Sequence, residues 1–193
     1  VFIAAARVGG ILENSSYPAD FIYDNLSIAL NLIHLSYKNN VKKVLYLGSS
    51  CIYPRDCRQP IKEEFLLSGP LEKTNRPYAV AKIAGIELCW AINRQFGTRY
   101  LAVMPPNLFG LSDNYDPNSS HVLPAMILKM DEAKRRGNRK VTLWGSGNPR
   151  RELMFSDDLA NACIELIARQ QRDLDFLFSA DHPPLINIGV GQD

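Results

Sequence analysis

Apolar positions along the 193 residues follow two alternating patterns. Short uninterrupted runs at 1–6, 41–49 (centred on Val44-Leu45-Tyr46-Leu47 and stopped by Gly48) and 100–104 read as strands buried on both faces. Between them, apolar residues recur at helical spacing. Residues 18–40 carry Phe21, Ile22, Leu26, Ile28, Leu30, Leu32, Ile33 and Leu35, with Pro18 suited to a first turn. Residues 78–96 carry Val80, Ile83, Ile86, Leu88, Trp90 and Ile92, and Gly97 stops them. A third helix is expected over 121–136, capped by Ser119 or Ser120, and a fourth over 156–169, capped by Ser156. Short strands are expected at 141–144 and 152–155, and the last twenty residues read as loop and then strand. Strands alternating with helices predict an α/β fold with a Rossmann-type doubly wound parallel sheet.

Two long helices that are apolar nearly all round need burial on two sides. One side can face the sheet; the other predicts a homodimer through helices 18–40 and 78–96. The chain begins inside one strand pattern and ends just after another, so it is expected to be an internal segment of a longer protein.

Composition narrows the function class. A hydrophobic content of 46 % with 22 % charged residues is that of a soluble globular protein, and a net charge of +2 predicts neither a nucleic-acid nor a membrane surface. The basic run 134–140 reads as the solvated end of a helix. No run approaches the roughly 18 apolar residues of a membrane span, and no charged leader precedes an apolar segment. Four cysteines do not make a disulfide framework. Cys89 and Cys163 read as core residues; Cys51 and Cys57 share a loop and could pair under oxidation, but reduced thiols are the favoured reading, so a cytoplasmic protein is expected. His34 reads as a core histidine and His182 as a loop residue. No metal-ligand cluster is read.

In a doubly wound sheet, ligands lie beyond the carboxyl ends of the strands, which brings segments 6–10, 49–54 and 105–110 to one cleft. Tyr78 and Lys82, four apart, share a helix face. An adjacent ammonium favours phenolate, which would make Tyr78 an acid/base near neutrality, and Ser49 can donate to a substrate oxygen. This trio suits oxidation or reduction at a carbinol carbon, because the oxygen must be protonated as hydride arrives at the carbon. Tyr-x-x-x-Lys alone is weak evidence. Gly48-Ser49-Ser50 upstream and Asn107-Leu108-Phe109-Gly110 downstream strengthen it.

With these motifs in place, the chain resembles the extended short-chain dehydrogenase/reductases, and within them the GDP-L-fucose synthase family. The resemblance runs through Ala4-Ala5-Ala6-Arg7-Val8-Gly9-Gly10, Leu47-Gly48-Ser49-Ser50-Cys51-Ile52-Tyr53-Pro54, Pro77-Tyr78-Ala79-Val80-Ala81-Lys82, Asn118-Ser119-Ser120-His121 and Trp144-Gly145-Ser146-Gly147. It implies NADPH-dependent inversion at C3 and C5 and reduction at C4 of GDP-4-keto-6-deoxy-D-mannose. By resemblance Tyr78 protonates the C4 oxygen, Lys82 tunes Tyr78 and holds the nicotinamide ribose, Ser49 orients the keto oxygen, and Cys51 and His121 invert C3 and C5. The implied NADPH site comprises Leu47, Gly48, Ser49, Ser50, Lys82, Pro105, Pro106, Asn107, Leu108 and His121. The implied GDP-sugar site comprises Asn107, Lys129, Trp144 and Arg151, with Arg151 at the diphosphate.

The resemblance further implies that 1–110 is the later part of an NADP-binding Rossmann domain. Residues 111–193 would be mostly a smaller substrate-binding domain, with about 152–168 returning to the first. Some positions depart from the family pattern. Lys129 replaces an arginine and loses its bidentate fork, Leu111 replaces a proline, and Ser156 replaces a valine. A glycine-rich dinucleotide loop is absent from the chain, as is the residue that selects NAD or NADP, so the segment alone is expected to bind dinucleotide poorly. Two alternatives stay open: a sugar-nucleotide 4-epimerase or 4-reductase, which needs neither Cys51 nor His121, and a catalytically silent nucleotide-binding or scaffold fragment.

Overall fold

A computed structural model describes residues 1–117, 119–143, 145–148, 150–169, 171–178 and 181–191. The elements are β1 (Phe2–Ile3), α1 (Ile11–Ser16), α2 (Pro18–Lys38), β2 (Lys43–Leu47), α3 (Arg76–Phe96), β3 (Arg99–Met104), β4 (Asn107–Phe109), α4 (Val122–Arg135), β5 (Leu153–Phe155), α5 (Ser156–Ala168) and β6 (Leu185–Asn187). One sheet runs β1-β2-β3-β6, all parallel, and β4 pairs parallel with β5 in a second.

Alternation along β2 explains its unbroken apolar run. Val44 and Tyr46 face α2 and α3, packing with Ala29, Ile33, Ile83, Ile86, Cys89 and Ile92. Leu45 faces the other way, toward Val103, Met154, Leu159 and Cys163 beneath α5. Both faces of β2 and β3 are therefore covered, as the run lengths predict. Two glycines set the spacing. A Cβ on Gly85 of α3 would meet the Tyr46 ring at 2.7 Å, so its absence lets the helix settle onto β2. A Cβ on Gly48 would collide with the Met104 side chain at the junction of β2 and β3.

The structure revises several expectations. β1 is shorter than 1–6 and stands outermost among the described strands, with Phe2 48 % exposed and Ala4 and Ala5 exposed as well. His34 is exposed beside Tyr37, not in the core; it projects from the side of α2 away from the buried Phe21, Ala29 and Ile33. The cap of α4 is His121 rather than Ser119 or Ser120, because Ser119 is spent on a turn closed by Asp116. Phe155, not Ser156, caps α5, with Asp157 and Asp158 in the first turn where the helix dipole favours anions. Residues 141–143 form no strand, and residue 144 lies outside the described residues. Helix α1 and strand β4 had no periodic signal: α1 is a single polar-bearing turn and a half, and β4 directly follows two prolines. Cys89 and Cys163 are buried, and His182 lies in an exposed loop. Among the described residues no helix is long and apolar enough to cross a membrane.

Candidate active site

β2 ends at Leu47, and buried Gly48 donates its N–H to the Val103 carbonyl at 2.9 Å, holding the chain beside the end of β3. Ser49 then caps a 3₁₀ turn, Ser50–Ile52, its Oγ accepting from the Cys51 N–H at 3.3 Å. That turn presents Cys51 and leaves Ser50 exposed. The segment that follows is tethered far along the chain. Tyr53 donates to Asn187 Oδ1 at 2.5 Å, Asn187 Nδ2 donates to the Ile61 carbonyl at 3.1 Å, and the Asn187 N–H donates to Glu63 at 2.8 Å.

Helix α3 brings the remaining groups. Tyr78 and Lys82 are in its first two turns, after Asn75 as cap and with Pro77 in the first turn. Lys82 is 3 % exposed; its ammonium donates to the Leu47 carbonyl at 2.8 Å and lies 4.8 Å from the Tyr46 ring centre. Burial pulls its pKa down to about 8. Tyr78 behaves differently from the sequence expectation. Burial raises its pKa, neighbouring Cys51 raises it further, and a hydrogen bond with Ser49 pulls it down. The ammonium does not counter this, because it lies over the ring face, 5.7 Å from the centroid, with its proton on the Leu47 carbonyl. Tyr78 is therefore a neutral phenol, which is a proton donor.

Cys51 Sγ accepts from Asn75 Nδ2 at 3.1 Å. Burial raises the thiol's pKa, while Ser49 and the charge of Arg151 lower it. Ser49, Cys51, Tyr78 and Lys82 are thus brought together, with Arg151 in electrostatic reach although exposed before β5. Asn75 carried no sequence signal beyond its place ahead of a helix-opening Arg-Pro.

The third strand end completes one side. Pro105 is buried, Pro106 half-buried and Asn107 exposed at the start of β4, and Leu108, like Leu47, packs against the cluster that holds Leu45, Val103 and Met154. β4 pairs with β5 through Asn107 and Leu153, which carries Arg151 toward the same end. His121 stands apart. Its imidazole is exposed, with no hydrogen-bond partner among the described residues. Its loop nevertheless approaches the start of α1, where a Cβ on Gly10 would lie 3.2 Å from the Ser120 carbonyl oxygen. Lys129 is half-buried on α4, and Trp144 lies outside the described residues.

A profile of the NAD dependent epimerase/dehydratase family matches residues 1–189. GDP-L-fucose synthase of Escherichia coli K12 is 49 % identical over 195 residues, covering all of this chain and 60 % of that protein. A GDP-D-glycero-L-gluco-heptose synthase from Campylobacter jejuni, solved in the presence of NADPH, is 34 % identical with a TM-score of 0.86, covering 100 % of this chain and 65 % of that one. A GDP-L-fucose synthetase from Naegleria fowleri bound to NADP is 30 % identical with a TM-score of 0.80, covering 97 % of this chain and 58 % of that one. The chain spans 57–60 % of the length of the GDP-L-fucose synthases of E. coli, Sinorhizobium fredii and Arabidopsis thaliana that it matches. With its parallel sheet and the Ser49–Tyr78–Lys82 cluster at the carboxyl end of β2, the chain belongs to the NAD dependent epimerase/dehydratase family.

Proposed function

We propose that this chain carries the chemistry of a GDP-L-fucose synthase: inversion at C3 and C5, then NADPH-dependent reduction at C4, of GDP-4-keto-6-deoxy-D-mannose. The observation that carries this reading is a second proton-transfer group, Cys51, held beside Ser49 and Tyr78. Reduction at C4 needs a single acid; a thiol at the same site serves a proton on carbon. The E. coli and N. fowleri relatives, both enzymes of GDP-L-fucose synthesis by name, support the sugar, and the C. jejuni structure solved with NADPH and the N. fowleri structure bound to NADP support the cofactor.

The residues present fit the nicotinamide end of such a dinucleotide. Lys82 offers a buried ammonium with a single backbone acceptor, and Leu47, Gly48 and Ser50 adjoin the Pro105–Leu108 turn where β2 and β3 end side by side. NADPH, when bound, supplies hydride to C4. Ser49 orients the C4 keto oxygen, and Tyr78, neutral through burial, donates its proton to that oxygen. Before reduction, Cys51 as thiolate takes the proton from C3 or C5, and the electron pair moves onto the C4 oxygen as an enolate. His121 returns a proton on the opposite face, and solvent exchange resets both groups. Arg151 pairs with the diphosphate, while Lys129, Asn107 and Trp144 complete the GDP-sugar contacts.

In deuterated water the complete protein is expected to convert GDP-4-keto-6-deoxymannose and NADPH into GDP-L-fucose with deuterium at C3 and C5, read by NMR. Cys51→Ser and His121→Ala should remove that deuterium. A reduced, uninverted and deuterium-free sugar would reject the epimerase reading, and no turnover by folded, NADPH-binding protein would favour a silent binder.

The domain division proposed is 1–110 and 111–193, with α5 returning to the sheet; its support is Leu159 and Cys163 packed against Leu45 and Val103. A cytoplasmic location is supported by four unpaired thiols. A homodimer through α2 and α3 is supported by Tyr23, Leu30 and Leu35, which remain 71, 47 and 53 % exposed while Phe21, Ala29 and Ile33 are buried. Sedimentation of the complete protein is expected to give twice the monomer mass, and Leu30→Lys with Leu35→Lys to give the monomer. An unchanged mass in that variant would move the interface elsewhere.

A further inference from the structure

We infer that Asn75 is a positioning residue for Cys51, its carboxamide N–H holding the sulfur in place and favouring the thiolate; this rests on the reading of Cys51 as a proton-transfer group. An asparagine at a helix N-cap ordinarily turns its side chain back to accept from the free N–H groups of the first turn. Asn75 is the cap of α3 and makes no such bond. Its Nδ2 instead donates to Cys51 Sγ at 3.1 Å, 24 residues back in the chain. Its Oδ1 is buried and has no partner among the described residues. The side chain thus forgoes the cap to reach the sulfur and leaves a buried oxygen unsatisfied; Asn14 shares the second cost, so the surrendered cap and the long-range bond are what set Asn75 apart.

Sulfur chemistry gives the contact its direction. A neutral thiol is a weak acceptor, whereas a thiolate is charged, so a donor aimed at the sulfur favours the charged form. The other groups around Cys51 divide. The Ser49 hydroxyl from the end of β2 and the Arg151 charge from the segment before β5 favour the thiolate, whereas burial opposes it. Tyr78 on α3 opposes it too once ionised, since each of these two groups disfavours the other's anion. Asn75 adds a donor to the favouring side without adding a charge that would hold the sulfur too firmly to give up a proton acceptor's role. It also joins the Cys51 turn to the start of the helix that carries Tyr78 and Lys82, so the two proton-transfer groups keep one spacing.

The test compares the complete wild-type protein with Asn75→Ser, which keeps a capping side chain for α3, and Asn75→Asp, which keeps the shape but replaces the donor with an anion. Iodoacetamide alkylation of Cys51 is followed against pH by peptide mass spectrometry, alongside thermal unfolding. Asn75→Ser should move the alkylation midpoint up by about one pH unit, with about tenfold slower reaction near neutrality, and Asn75→Asp should move it further. Unfolding of Asn75→Ser should be unchanged, and deuterium entry at C3 and C5 should follow the same shifted midpoint. Alkylation midpoints equal to wild type in both variants would overturn the inference. A shifted midpoint in a protein whose Cys51→Ser variant still admits deuterium would leave the Asn75 contact standing and remove Cys51 from the chemistry.

Discussion

Tyr78→Phe is expected to slow reduction at C4 by about 10²- to 10⁴-fold, while deuterium exchange at C3 and C5 stays measurable. The substitution removes one oxygen and keeps the ring, so packing against Lys82 survives. What disappears is the proton. Burial and the neighbouring Cys51 keep the Tyr78 phenol neutral, which is the form that can protonate a developing alkoxide. Without it, reduction must leave charge on the C4 oxygen with only the Ser49 hydroxyl to share it. Exchange, by contrast, is expected to draw its base from Cys51. The two rates are separable: loss of NADPH absorbance reports reduction, and NMR in deuterated water reports exchange. Unchanged reduction in Tyr78→Phe would remove Tyr78 from the acid role.

Lys82→Met is expected to raise stability by about 1–3 kcal/mol and to abolish reduction. The ammonium is 3 % exposed and its pKa is depressed to about 8, which corresponds to roughly 3 kcal/mol of preference for the neutral amine. The Leu47 carbonyl and the Tyr46 ring return part of that cost, so the net gain from an apolar replacement is smaller. Methionine is close in length and fills the same slot. The pH dependence has a definite sign. A lysine with a depressed folded value binds fewer protons folded than unfolded between about 8 and 10.5, so wild-type stability rises across that window. Below about 8 the penalty is present in full. The advantage of Lys82→Met should therefore be constant up to about pH 8 and shrink above it, as read from urea midpoints at several pH values. Equal stability at all pH values would mean that Lys82 is not held as a buried cation.

The parts of the fold that were legible in the sequence are those that a period reveals. Val44-Leu45-Tyr46-Leu47 reads as a strand because both faces are covered, and α2 and α3 read as helices because their apolar residues recur every three or four positions. Where a segment is short or its partner is distant, the period fails. β4 is three residues behind two prolines and exists because β5 pairs with it from 46 positions on, at Asn107 and Leu153. At the site, the spacing of Tyr78 and Lys82 gave their shared helix face but not their electrostatics. Adjacency suggested that the ammonium would loosen the phenol's proton, yet the Lys82 ammonium is turned to a carbonyl and burial decides the outcome. Asn75 was not read from the sequence at all, and only the three-dimensional placement of Cys51 shows what its side chain does.

The Tyr53–Asn187 hydrogen bond closes a span of 134 residues, and Glu63 and Ile61 close similar spans onto the same asparagine. Loops of that length form late, because their ends must find each other before any contact rewards the search. A chain growing from its amino end has made Ser49, Cys51, Tyr78 and Lys82 long before β6 exists to anchor the segment behind Cys51. The newborn protein thus carries Cys51 on an untied loop, with the helix bearing Tyr78 and Lys82 already in hand. Arrival of β6 fastens that loop, so the segment behind Cys51 stays untied until Asn187, 134 residues after Tyr53, is in place.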